Sequence, residues 1–121
     1  MSGAIAGNRI LIVEDEYFIA LEIQRALNAV GAEVLGPVPS LEKASIILDS
    51  AVPDFAILDV NLEGESSFPI ADRLKDSAIP FMFVTGYDDW VIADRYRDVP
   101  RMTKPYSIGS LIAFVGELIH P

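Results

Sequence analysis

No cysteine occurs anywhere in the chain, so disulfides and thiolate metal sites are both excluded. Basic residues are scarce as well: 9 Lys and Arg face 18 Asp and Glu, a formal net charge of −9. Binding a phosphate backbone requires clustered Lys and Arg, so direct nucleic-acid contact is not expected. Long apolar runs are missing too. The first one, Ile10-Leu11-Ile12-Val13, stops at Glu14-Asp15-Glu16, and residues 1–8 carry no basic region, which argues against a membrane span and a signal peptide. The expectation is a soluble cytoplasmic protein with no membrane association. Histidine is nearly absent: the single one, His120, sits in the last two residues as a solvated tail group rather than a buried catalytic base.

What remains is a globular composition, 51% hydrophobic and 22% charged. The length suits one domain, residues 1–121 with a core over about 8–119. Residues 9–14 read as a first strand and Glu16 to Val30 as a helix with Ile19, Ile23, Ala26, Leu27 and Val30 on one face. Gly31 is placed to end that helix in a left-handed cap. Residues 32–36 read as a second strand ended by Pro37 and Pro39. Ser40 is placed to cap a helix through about Asp49, with Leu41, Ala44, Ile47 and Leu48 inward.

Pro53 precedes a third strand, Asp54-Phe55-Ala56-Ile57-Leu58-Asp59, whose unbroken apolar run suits burial on both faces. Phe68 to Ser77 reads as the third helix, with Pro69 tolerated in its first turn. Phe81 to Thr85 is the fourth strand, Asp88 to Tyr96 a shorter helix, and 101–103 a weak fifth strand. Ser107 caps a last helix with Ile108, Leu111, Ile112, Val115, Leu118 and Ile119 as its core stripe. Five strands alternating with five helices specify an α/β fold, a doubly wound parallel sheet covered on both faces. One sequence does not fix strand order. The common order 2-1-3-4-5 would set strands one and three side by side at the switch point, where open α/β sheets bind ligands.

In that arrangement Glu14, Asp15 and Asp59 converge at strand ends, joined by Thr85 and Lys104. Singly, each acid also reads as a solvated turn residue, Thr85 as a strand-end residue and Lys104 as a surface lysine. Together at carboxyl ends of strands, they do not. At about 5 Å and an effective dielectric near 20, each carboxylate pair repels by roughly 3 kcal/mol. Such a cluster holds either a proton at raised pKa or a cation. All-oxygen ligands with open positions favour Mg²⁺.

These residues, Glu14-Asp15, Asp59 followed by Asn61, Thr85-Gly86 and Lys104-Pro105, closely resemble in order and spacing the receiver domain of bacterial two-component response regulators. The likeness covers roughly residues 8–119 and implies a flavodoxin-like fold. Pro80-Phe81-Met82-Phe83-Val84-Thr85-Gly86-Tyr87 further resembles the Pro-Phe-X-Phe-Ala-Thr-Gly signature of the stand-alone FATGUY subclass, with Val84 in place of alanine. The resemblance implies that Asp59 accepts a phosphoryl group from a sensor histidine kinase, a histidine phosphotransferase or a small phosphodonor. It implies Mg²⁺ (or Mn²⁺) held by Asp15, Asp59 and the backbone carbonyl of Asn61, with Glu14 acting directly or through water. Lys104 and Thr85 would contact phosphoryl oxygens, and the Lys104–Pro105 bond would be cis. The aromatic residue usual three positions before the lysine is replaced by Arg101, so Tyr87 or Trp90 is a candidate for its role, while Tyr106 reads as core packing.

The resulting expectation is a signalling phosphoacceptor, not an enzyme, acting as a monomer or weak dimer through protein contacts or phosphoryl relay. Two alternatives stand beside it. A Toprim-like metal-dependent enzyme is imitated in part by Glu14 and Asp59-Val60-Asn61, although Asn61 stands where that pattern has a second aspartate. A pseudo-receiver would bind a partner without phosphorylation.

Overall fold

In the computed structural model, which describes residues 4–86 and 94–120, the apolar runs become strands and the amphipathic stretches helices. The strands are β1 (Arg9–Val13), β2 (Glu33–Val38), β3 (Phe55–Asp59), β4 (Asn61–Leu62), β5 (Glu65–Ser66), β6 (Phe81–Thr85) and β7 (Arg101–Thr103). The helices are α1 (Tyr17–Ala29), α2 (Leu41–Ser50), α3 (Phe68–Asp76) and α4 (Ile108–Ile119). Five strands form one parallel sheet in the order β2-β1-β3-β6-β7, the expected doubly wound order.

Alternation along the central strands sends side chains to two separate cores. Leu11, Val13, Ala56, Leu58 and Phe83 face Ala44 of α2 and Ile70, Ala71 and Leu74 of α3. Ile10, Ile12, Ile57, Met82 and Val84 face Ile23 and Leu27 of α1 and Leu111 and Val115 of α4. Every residue of β3 and β6 is buried, which is why these strands read as unbroken apolar runs. The helix starts follow their capping residues: Ser40 Oγ accepts from the Lys43 N–H at 3.2 Å, and Ser107 Oγ from the Ser110 N–H at 3.1 Å.

Four expectations need correction. The second strand does not stop at Pro37 but runs to Val38, with a cis Gly36–Pro37 bond. An edge strand tolerates proline because one side of its backbone needs no sheet partner. A two-residue hairpin, β4 with β5, follows β3 where only turn signals had been read. Its central residues Glu63 and Gly64 have φ of 51° and 88°, the positive pair that a tight primed hairpin turn requires. The small-residue lead contributes Ile5, fully buried against the α1–α4 face. Finally, four α-helices rather than five occur among the described residues. Of the helix expected over 88–96, only Asp94–Tyr96 is described, as one 3₁₀ turn, and the roles considered for Tyr87 and Trp90 lie outside the described residues.

That turn is strongly anchored. Tyr96 is fully buried among Phe68, Phe81 and Phe83, and Arg95 lies 4.8 Å from its ring centre while pairing through two nitrogens with Asp72 at 3.0 and 3.1 Å. Arg101, at the position where an aromatic residue was expected, donates to the Tyr96 and Arg97 carbonyls at 3.3 and 2.9 Å.

Candidate functional site

Register decides which side chains meet. β1 and β3 pair directly, Val13 beside Leu58, so the residues that follow them emerge together at the carboxyl edge of the sheet. β6 pairs with β3 on the other side, Val84 beside Asp59, and with β7, Thr85 beside Thr103. Glu14, Asp59, Thr85 and Lys104 are therefore delivered by four adjacent strands to one rim.

At that rim one carboxylate oxygen from each of Glu14, Asp15 and Asp59 lies within 4.8 Å of the others. Glu14 and Asp59 are buried and Asp15 is half-buried. The Lys104 ammonium sits 2.8 Å from Asp59 Oδ2, 3.2 Å from Glu14 Oε1 and 3.7 Å from Glu16 Oε1. The Lys104–Pro105 bond is cis, as expected, and the Lys104 N–H donates to the Thr85 carbonyl at 2.8 Å. Thr85 itself is buried at the end of β6.

Backbone amides hold the acids in place. Asp59 Oδ1 accepts from the Asn61 N–H at 3.1 Å, Asp15 Oδ2 from the Glu63 N–H at 2.9 Å, and Glu14 Oε2 from the Glu16 N–H at 3.1 Å. Asn61 Oδ1 accepts from the Gly64 N–H at 2.9 Å, which fixes the hairpin turn next to the cluster. The unpredicted hairpin is thus a structural part of the site, since its turn supplies the amide that orients Asp15.

The electrostatics follow from the crowding. Burial first, then the hydrogen bond and charge of Asp59, push Glu14 from the ordinary 4.5 up to about 8. Burial works against the charge on Lys104, but the hydrogen bond and charge of Asp59, and then Glu14, outweigh it and raise the ammonium above the ordinary lysine value. Burial, followed by the charge of Glu14, lifts the nearby Tyr106 phenol to about 12. Tyr106 packs against the α1–α4 core as expected, and its buried hydroxyl has no partner among the described residues.

Among the described residues, three convergent carboxylates with no nitrogen or sulfur ligand form a donor set suited to a hard divalent cation. Among the described residues one ammonium faces four acids, and a cation among Glu14, Asp15 and Asp59 would offset the Asp59 charge that adds to the effect of burial on Glu14. All six residues expected at the site lie on this rim or in the loops leaving it. The sequence reading missed Glu16, taken there only as the start of α1, although it is the third carboxylate within reach of Lys104.

The model for the response regulator receiver domain matches residues 10–115. The sensory transduction protein LytT of Bacillus subtilis (strain 168) is 33% identical over 102 residues, 81% of this chain and 42% of that protein. The chain therefore spans less than half the length of that relative. The sporulation initiation phosphotransferase F of the same strain is 25% identical over 108 residues, 85% of this chain and 86% of that protein. Among solved structures, SdrG from Sphingomonas melonis Fr1 superposes with a TM-score of 0.81 at 36% identity, covering 96% of this chain and 98% of that one. Receiver domains are signalling phosphoacceptors rather than enzymes, and the Toprim-like alternative finds no support among these relatives. No helix among the described residues is long and apolar enough to cross a membrane.

Proposed function

The chain belongs to the response regulator receiver family of two-component systems, and on that premise we propose that Asp59 is its phosphoacceptor. One observation carries this reading: the buried Asp59 carboxylate lies 2.8 Å from the Lys104 ammonium and shares a rim with Glu14 and Asp15, oxygen to oxygen within 4.8 Å. An oxygen of Asp59 forms a bond to phosphorus as the P–N bond of a donor phosphohistidine breaks, and the electron pair leaves with the imidazole nitrogen, which takes up a proton. The donor is a sensor histidine kinase or a histidine phosphotransferase, and acetyl phosphate substitutes for either in vitro.

Glu14, Asp15, Asp59 and the Asn61 carbonyl are the groups that would hold Mg²⁺ or Mn²⁺. When bound, such an ion offsets charge on the phosphoryl oxygens, the main contribution a protein site makes to this transfer. Lys104 then gives up part of its contact with Asp59 for a phosphoryl oxygen, and the Thr85 hydroxyl donates to another. A doubly charged group added beside Thr85 alters the loop that follows and with it the surface offered to a partner.

The signature from Pro80 to Gly86 supports the FATGUY subclass, in which a receiver works as a single unit in the cytoplasm, as a monomer or weak dimer, through relay or partner binding. Intact-mass measurement after incubation with acetyl phosphate and Mg²⁺ tests it. One added phosphate in the wild type and none in Asp59→Ala supports the proposal; a wild type that takes up no phosphate, or an Asp59→Ala variant that does, refutes it.

A further inference from the structure

Among the described residues Lys104 has three carboxylates around it, and they are not equivalent. Asp59 becomes an acyl phosphate and Glu14 belongs to the cation-binding group, so in the phosphorylated state both have other claims on them. Glu16 has none. It occupies the position just before α1, yet its side chain makes no capping hydrogen bond to that helix. Its backbone N–H instead supports Glu14, and its carboxylate reaches across to Lys104 at 3.7 Å. Glu16 is 58% exposed whereas Lys104 is 18% exposed, so this acid is open to solvent while the other two partners of the ammonium are buried. The two line a surface cavity of about 420 Å³ with Ile19, Glu22, Pro105 and Tyr106.

We infer that Glu16 is a positioning residue for Lys104, drawing the ammonium outward and so limiting how fully it engages an incoming phosphoryl oxygen. This rests on the phosphoacceptor reading of Asp59 and adds a regulator of transfer rate to it. An ammonium shared with an outer carboxylate delivers less of its charge to the phosphoryl group, whose charge in transfer is stabilised almost wholly by such fixed partners. Removing the outer acid releases the lysine inward. The same acid also faces an anionic donor at the mouth, and that direct repulsion must be separated from an effect exerted through Lys104.

A double-mutant cycle separates them. Glu16→Gln keeps the shape and removes the charge at an exposed position, so folding is not at stake. Acyl phosphate formation from acetyl phosphate with Mg²⁺ is expected to accelerate by roughly threefold to tenfold, the scale of one partly screened charge contact. In a Lys104→Ala background the same substitution is expected to change the rate by less than about twofold, below that range. An equal acceleration in both backgrounds, or none in either, overturns the inference while leaving the phosphoacceptor role of Asp59 intact. A second readout needs no phosphoryl transfer: the ¹⁵N-labelled Lys104 ammonium resonance should shift in Glu16→Gln, and an unmoved resonance overturns the inference whether or not the chain takes up phosphate.

Discussion

The Lys104 ammonium lies 2.8 Å from Asp59 Oδ2, and both side chains are withdrawn from solvent, at 18% and 4% exposure. Removing one partner of such a pair strands the other in a poorly solvated place. Lys104→Ala leaves Asp59 facing Glu14 with no compensating charge among the described residues and is expected to destabilise the metal-free protein by about 2 kcal/mol. Arg97→Ala breaks a shorter pair, 2.6 Å from Asp94, but both of those side chains are largely exposed, so its cost is expected below about 0.5 kcal/mol. Urea denaturation of the two variants checks the ranking, and equal losses would contradict it.

Metal linkage gives a second expectation. A cation bound only by the folded rim stabilises by mass action, about 2.7 kcal/mol at a concentration one hundred times its dissociation constant. For a chain of this size that raises the Tm by roughly 8–15 °C over the value in EDTA. Asp15→Asn keeps the acceptor for the Glu63 amide but removes a ligand charge, so the variant should fold normally and lose most of the Mg²⁺-dependent rise. Calorimetric scans with and without Mg²⁺ measure both.

Tyr106 carries a pH signature. Its folded-state value near 12 lies above the ordinary 10.0, and the neutral phenol is the form that burial favours. Its stabilising contribution is therefore fully present below about pH 10 and is lost as pH rises toward 12, a change of roughly 1–2 kcal/mol. Tyr106→Phe should flatten that part of the stability profile relative to wild type. Because the buried hydroxyl has no partner among the described residues, the same variant should also gain up to about 1 kcal/mol at neutral pH. A variant that loses stability at pH 7 would show that the hydroxyl is satisfied in solution.

The sheet and most of the site were legible in the sequence for one physical reason. Strands buried on both faces, such as Phe55–Asp59 and Phe81–Thr85, must be apolar until they reach the rim, so the first polar residue marks the strand end. Glu14, Asp59 and Thr85 were each found by that break, whereas Lys104 follows the weak, largely exposed strand Arg101–Thr103 and was placed by its Lys-Pro pair and its position after that strand. The hairpin after Asp59 was not legible because two-residue strands carry no periodicity, and Glu63-Gly64 signals a turn without saying what it joins. Pro37 was read as a terminator because nothing local reveals that β2 is an edge strand. Tyr96 was assigned to a helix end, but four aromatic rings separated in sequence enclose one another there, and only tertiary packing brings them together. Glu16 was missed for the same reason: its partner, Lys104, lies far along the chain and only the fold brings the two together.

The central claim, that acids gathered at one rim hold a cation and leave Asp59 able to attack phosphorus, is tested most directly by trapping the product. After incubation with acetyl phosphate, borohydride reduction converts an aspartyl phosphate to homoserine, which peptide mass mapping locates. The account predicts homoserine in place of Asp59 when Mg²⁺ is present and an unmodified peptide in EDTA. Reduction at any other acid, or equal modification in EDTA, would contradict it.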